Sequence, residues 1–292
     1  MKIKTIFTKL IVLLMAVCII SPLSGNVVHA DAYKVVTLGG NLTDVQKEQM
    51  LKYFGVSRQE ANVIEVNIDE EKKYLSDVAS SDQIGTKSIS CAYVEPTSSG
   101  GLNVTTNNIY WVSSSMIKNA LITAGIKNAN VKAAAPFNVS GTAALTGILK
   151  GFENSSAGSK IDENKKKVAN DELMTTGDLG QKIGKDKAAG VVNDIKKQVI
   201  QDKPKDDAEV RKIVENVTNN YNLNLSSQDI DKLTSLMNKI NGLNLNFGDL
   251  KGQLNDVSSK LKGAIGSEQA QQAKGFFSKF MDSIANFFSN LF

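Results

Sequence analysis

The chain has 292 residues, with 34 basic against 30 acidic side chains, one histidine and two cysteines. That near balance excludes a nucleic-acid binder built on a basic face, which needs clustered Lys and Arg to displace counterions from phosphate. Two cysteines also rule out a scaffold held together by several disulfides.

Lys2, Lys4 and Lys9 open the chain, and residues 10–20 form an unbroken apolar run of eleven. Pro22 breaks the run, and Val28-His29-Ala30 offers a small-residue processing site. This is the pattern of a secretory signal peptide over residues 1–30, too short for a membrane-spanning helix. Cys18 follows Val17 inside the apolar run, where a lipoprotein signal wants a small residue. Trimming after Ala30 removes Cys18, the single histidine His29 and three lysines, so 34 basic residues become 31 against 30 acidic, a net charge of +1. The mature chain then lacks imidazole and holds one thiol, Cys91, which has no internal partner for a disulfide. The expected location is secreted or extracellular, either free or held loosely at the cell envelope by non-covalent contacts.

Residues 31–152 read as an α+β domain. Residues 33–38 are strand-like and stop at Gly39-Gly40, and Thr43 with Gln46 fits a capping box that starts a helix ending at Gly55. Residues 63–68 form a second strand, and Asp69-Glu70-Glu71 places acid on the positive end of the next helix. Residues 87–95 and 102–112 read as a hairpin around a turn of Pro, Ser, Thr and Gly, with Ile89, Cys91 and Tyr93 on one face. Ser113 or Ser114 caps a helix that stops at Gly125. A strand over 130–135 and a helix over 140–152 complete the domain. The order predicts a mixed or antiparallel sheet with packed helices.

Residues 153–160 read as a linker, and the strand period then vanishes. An all-helical region is expected over 161–268, with helices at 161–174, 179–201, 206–220, 227–240 and 249–265. Ile230, Leu233, Met237 and Ile240, then Leu250, Leu254, Val257, Leu261 and Ile265, recur at three- and four-residue steps, as in an antiparallel bundle. Residues 269–292 form an amphipathic helix that carries six of the chain's eleven phenylalanines. Phe276, Phe277, Phe280, Ile284, Phe287 and Phe288 share its apolar side, a patch larger than a soluble monomer normally exposes. Packing on its own chain, self-association, a membrane surface or a partner protein would each cover it. Only Lys279 supplies positive charge on its polar side, offset by Asp282.

Several stretches resemble one known family. They are Val36-Thr-Leu-Gly39, Ser90-Cys-Ala-Tyr-Val-Glu-Pro96, Gly100-Gly-Leu-Asn-Val104, Ile109-Tyr-Trp-Val112, Ala133-Ala-Ala-Pro-Phe137 and Gly141-Thr-Ala-Ala-Leu-Thr-Gly147. The chain resembles the YpuA-like secreted proteins of Gram-positive bacteria, over most of its length and most strongly from 35 to 152. The resemblance implies export and carries over no activity and no site residue.

Candidate chemistry is sparse. Cys91 is a possible nucleophile without a histidine to activate it, and a buried inert thiol is the simpler reading. Ser115-Met-Ile-Lys118 matches the S-x-x-K pattern without its companion K-T-G, among serines that suit a helix cap. Glu65, Asp69, Glu70 and Glu71 could pair for acid–base work or hold calcium, against a solvated helix start. Gly39-Gly40-Asn41 could hold an anion or simply turn the chain. Pro96, Gly100 and Gly101 in the Pro-Ser-Gly turn join the Phe-rich face as possible contact surface. No cofactor or metal site is expected, and nucleic acid is not an expected partner. The reading favours an exported, non-enzymatic protein that binds through its surface. A carboxylate-dependent envelope hydrolase and a membrane-peripheral protein using its last helix are the alternatives.

Overall fold

The computed structural model describes residues 33–264, with side chains through Ser259. The expected signal peptide and the Phe-rich helix of 269–292, including Phe276, Phe277, Phe280, Ile284, Phe287 and Phe288, lie outside the described residues. No helix among the described residues is long and apolar enough to cross a membrane.

Five strands, β1 (Val35–Gly39), β2 (Asn62–Val66), β3 (Cys91–Pro96), β4 (Leu102–Ile109) and β5 (Ala129–Val139), form one mixed sheet in the order β2-β1-β3-β5-β4. Among them run α1 (Asp44–Phe54), α2 (Ile68–Leu75), α3 (Ser81–Ile84) and α4 (Ser114–Thr123), with α5 (Thr142–Glu153) after β5. The chain is an α+β protein with a helical C-terminal region.

Alternation along each strand sorts the sheet's two faces. Val36 and Leu38 of β1, Cys91 and Tyr93 of β3, and Ala134 of β5 pack with Met50, Leu51 and Phe54 of α1. Ala92, Val94, Val104 and Val131 point the other way, into a larger core with Leu145, Ile148 and Leu149 of α5. Helix α5 lies very close to the sheet on that side. A β-carbon at Gly147 would come within 2.7 Å of Thr37 Oγ1, and one at Gly151 within 3.1 Å of Val94 Cγ2.

The hairpin expectation is corrected. Strands β3 and β4 do not pair, because β5 lies between them, antiparallel to β3 and parallel to β4. Strand β3 is buried on both faces and needs a ladder partner on each side. The turn at 97–101 therefore spans two strand spacings, roughly 10 Å, instead of one. Asn128 holds it there, accepting from Thr97 N at 3.2 Å through its carbonyl and from Gly101 N at 2.8 Å through Oδ1. Gly100 and Gly101 have φ of 96° and 72°, which glycine adopts without strain.

The helical region comprises α6 (Glu163–Ile183), α7 (Lys185–Asp202), α8 (Asp207–Asn220), α9 (Ser227–Gly242) and α10 (Phe247–Ala264). The first break falls at Gly184, later than the sequence suggests, because Gly177 and Gly180 remain helical. Leu233, Met237 and Ile240 of α9 and Leu250, Leu254 and Val257 of α10 are buried, as their spacing predicts. The two helices do not form one seam. Helix α9 packs on α6, α7 and α8, whereas α10 lies on α7 and α4.

A buried ion pair ties this region to the sheet layer. Lys196 of α7 donates to Glu172 Oε1 of α6 at 2.8 Å, to Thr123 Oγ1 at 3.1 Å and to the Asn119 carbonyl of α4 at 2.9 Å. Neither charged side chain has exposed surface. Segment 153–160 is also anchored, with Ser155 Oγ donating to the Tyr33 carbonyl at 2.7 Å.

Candidate functional site, a cavity around Glu71

Three of the four sequence-nominated carboxylates face outward. Glu65 is exposed and paired with Lys47. Asp69 is exposed at the start of α2. Glu70 completes a capping box, its Oε2 accepting from Asn67 N at 3.0 Å, while Oε1 takes Lys150 of α5. Glu71, one residue on, turns the opposite way.

Helix α2 sets that direction. Glu71 and Leu75 are four residues apart and share a face. Leu75 is fully buried with Ile84 and Met174, against Ile68 and Trp111. Glu71 thus occupies an apolar-stripe position and has no exposed surface. Neither carboxylate oxygen completes a hydrogen bond of normal geometry. Burial pushes its pKa from the ordinary 4.5 up to about 7; the Ser88 hydroxyl opposes the rise and Glu70 adds to it. Ser88 Oγ is itself buried and stands beside the carboxyl, near enough to favour its charged form without a hydrogen bond of normal geometry.

Ser88 is fixed from below. Its amide donates to Asn41 Oδ1 at 2.8 Å, and its carbonyl accepts from Asn41 N at 3.1 Å. A β-carbon at Gly39 would sit 2.5 Å from that carbonyl, so the close approach requires glycine. This settles the Gly39-Gly40-Asn41 turn as a structural feature. Gly40 N donates to the Val66 carbonyl and Asn41 N to Ser88, which leaves no free pair of amides for an anion.

Glu71 forms part of the wall of a cavity of about 470 Å³. Asp82 and Gln83 of α3 contribute, as do Lys87, Tyr110, Trp111 and Gln181. Ser140 and Thr142 enter from the junction of β5 and α5. A bulge at the end of β4 directs the aromatic pair. Asn108 has φ of 56°, its Nδ2 donates to the Ala135 carbonyl at 2.9 Å, and the ladder slips before Ile109 meets Val139. The Trp111 ring then seats on α6, where a β-carbon at Gly177 would meet it at 2.2 Å. Gln83 fastens α3 to α6 by donating to Asp178 Oδ1 at 2.8 Å. The volume is within the range of small-molecule sites, which are mostly apolar with a few convergent polar groups.

The family model described as "Protein of unknown function (DUF1002)" matches residues 38–257. The chain belongs to this family. The DUF1002 match includes every residue that lines the cavity. The chain is 38% identical over 250 residues to the "Uncharacterized protein YpuA" of Bacillus subtilis (strain 168), covering 85% of this chain and 84% of that protein. No solved structure matches.

The remaining nominated residues take structural places. Cys91 is fully buried on the α1 side of β3, and burial raises its thiol to about 12. Lys118 of the Ser115-Lys118 pair is buried and committed to Asp256 of α10. Pro96, Gly100 and Gly101 lie at the opposite end of the sheet from the cavity, beside the start of β5. Among the described residues no group of three or more Cys, His, Asp or Glu is arranged to hold a metal ion. Sequence reasoning did not single out Trp111, Tyr110, Asp82, Lys87 or Gln181, because the cavity assembles from segments far apart in the chain.

Proposed function

We propose that this protein is exported from a Gram-positive cell to the envelope or medium and works there by binding, with the Glu71 cavity as its ligand site. The observation that carries the reading is a fully buried carboxylate, with only the Ser88 hydroxyl beside it and no hydrogen bond of normal geometry, on a residue that lines a cavity of about 470 Å³. A native fold rarely leaves such a group unsatisfied without a purpose. The pattern of residues 1–30 supports export. The high thiol pKa of Cys91 and the absence of imidazole from residues 31–292 favour recognition over nucleophilic catalysis.

The chain has a single tryptophan, Trp111, and it lines the cavity, so its emission reports on occupancy. Protein-free extracts of wall and membrane are titrated against the protein at pH 7.5. A saturable change in Trp111 emission that Glu71→Leu abolishes supports the reading. An emission unchanged by every extract, or changed equally in the variant, contradicts it.

One observation favours carboxylate-dependent hydrolysis as a second reading. Glu71, with its raised pKa, shares the cavity wall with Asp82, so an acid and a carboxylate could act together there. Slow turnover of wall glycan, lost in both Glu71→Gln and Asp82→Asn, would favour it over simple binding.

A further inference from the structure

The polar atoms around the cavity narrow the chemistry of its occupant. Two buried oxygens of a lining residue, Glu71 Oε1 and Oε2, complete no hydrogen bond of normal geometry, and the Ser88 hydroxyl stands beside them behind the wall. A carboxylate offers only acceptors when ionised, and the Ser88 hydroxyl beside it has one donor to give, so Glu71 calls for more. The surrounding lysines are largely spent elsewhere. Lys150 donates to Glu70 and to the Glu65 carbonyl, Lys73 pairs with Glu163, and Lys185 donates to the Tyr110 carbonyl. Lys166 is held by Glu153 and Glu163. Lys87 stands exposed in the cavity wall, with Asp82, also exposed, in the same wall. An anionic ligand would therefore meet an uncompensated carboxylate at depth. A neutral alcohol brings one donor, whereas a primary ammonium brings three and the matching charge. The Trp111 indole in the lining adds an aromatic group, whose π face is of the kind that attracts cations.

Building on the binding reading above, we propose that the cavity takes a small molecule by a primary ammonium head, with Glu71 as counter-ion and Trp111 against its body. The cavity accommodates the head with a short aliphatic or sugar-sized body, in keeping with its volume of about 470 Å³.

The test uses the full chain at pH 8 and 150 mM salt, with Trp111 emission and calorimetry as readouts. The probes are butylammonium and glucosamine, beside their neutral counterparts butan-1-ol and glucose, with acetate as the anion. The amines are expected to saturate the emission change at millimolar concentration. The neutral partners should bind at least tenfold more weakly and acetate not at all. In Glu71→Gln, checked for cooperative unfolding, amine affinity should fall at least tenfold. If the neutral molecules match the amines, or if envelope extracts move Trp111 while amines do not, the ammonium assignment is wrong although the cavity is a ligand site. If neither probe nor extract moves Trp111, both the assignment and the binding reading fall.

Discussion

Glu71→Gln keeps the size of the side chain and removes its charge, so it isolates the consequence of burying that carboxylate. In the folded chain the pKa rises from 4.5 to about 7. Below pH 4.5 the group is protonated in folded and unfolded chains alike and leaves stability untouched. Between pH 4.5 and 7 only the folded chain holds the proton, so stability falls as pH rises. Above about pH 7 the full penalty is present, about 3 kcal/mol at 1.36 kcal/mol per pH unit. Most of it develops between pH 5 and pH 8, so the wild type should lose about 2.5 kcal/mol relative to Glu71→Gln across that interval. Urea unfolding of both proteins at the two pH values measures this, since every other titrating group is common to them. If the difference between the two proteins stays within about 0.5 kcal/mol from pH 5 to pH 8, Glu71 is solvated or paired and the description of the cavity is wrong.

Other perturbations test the surrounding framework. Gly177→Ala puts a methyl group into the Trp111 ring, which should destabilise the fold by about 1–3 kcal/mol and shift the tryptophan emission maximum; an unchanged spectrum would mean that the ring does not rest on α6. Lys196→Ala strands Glu172 in the core and should cost about 3–5 kcal/mol by denaturant unfolding. Lys196→Met combined with Glu172→Leu should cost less than Lys196→Ala alone, and additive losses would argue against a coupled pair. Cys91 should resist iodoacetamide in the native protein at pH 8 and react on unfolding, as read by peptide mapping; rapid native labelling would contradict its burial.

Local chemistry was legible in the sequence where local chemistry decides. Thr43 and Gln46 form both halves of the expected capping box, and Gly55 ends that helix in the left-handed region. Strands β1, β2 and β5 and the stripes of α9 and α10 follow from period and composition. The β3–β4 hairpin failed because pairing is non-local, and nothing within residues 87–112 shows that a strand some thirty residues later will separate the two. Gly177 looks like a helix breaker, yet it is the residue that admits Trp111. The acids of α2 read as one solvated cluster. Glu71 stands out only when Ile68 and Leu75 are placed on its side of the helix. The other cavity residues come from α3 and the segment after it, two strand ends, the start of α5 and α6, so no sequence window contains the site.

The most direct measurement on the Glu71 cavity is a ¹³C NMR titration of the glutamate side-chain carboxyls, with Glu71→Gln assigning the resonance, in the absence and presence of butylammonium. The free protein should show one carboxyl titrating near pH 7, and the amine should draw that midpoint downward. A Glu71 carboxyl that titrates near 4.5 and ignores the amine would contradict the account.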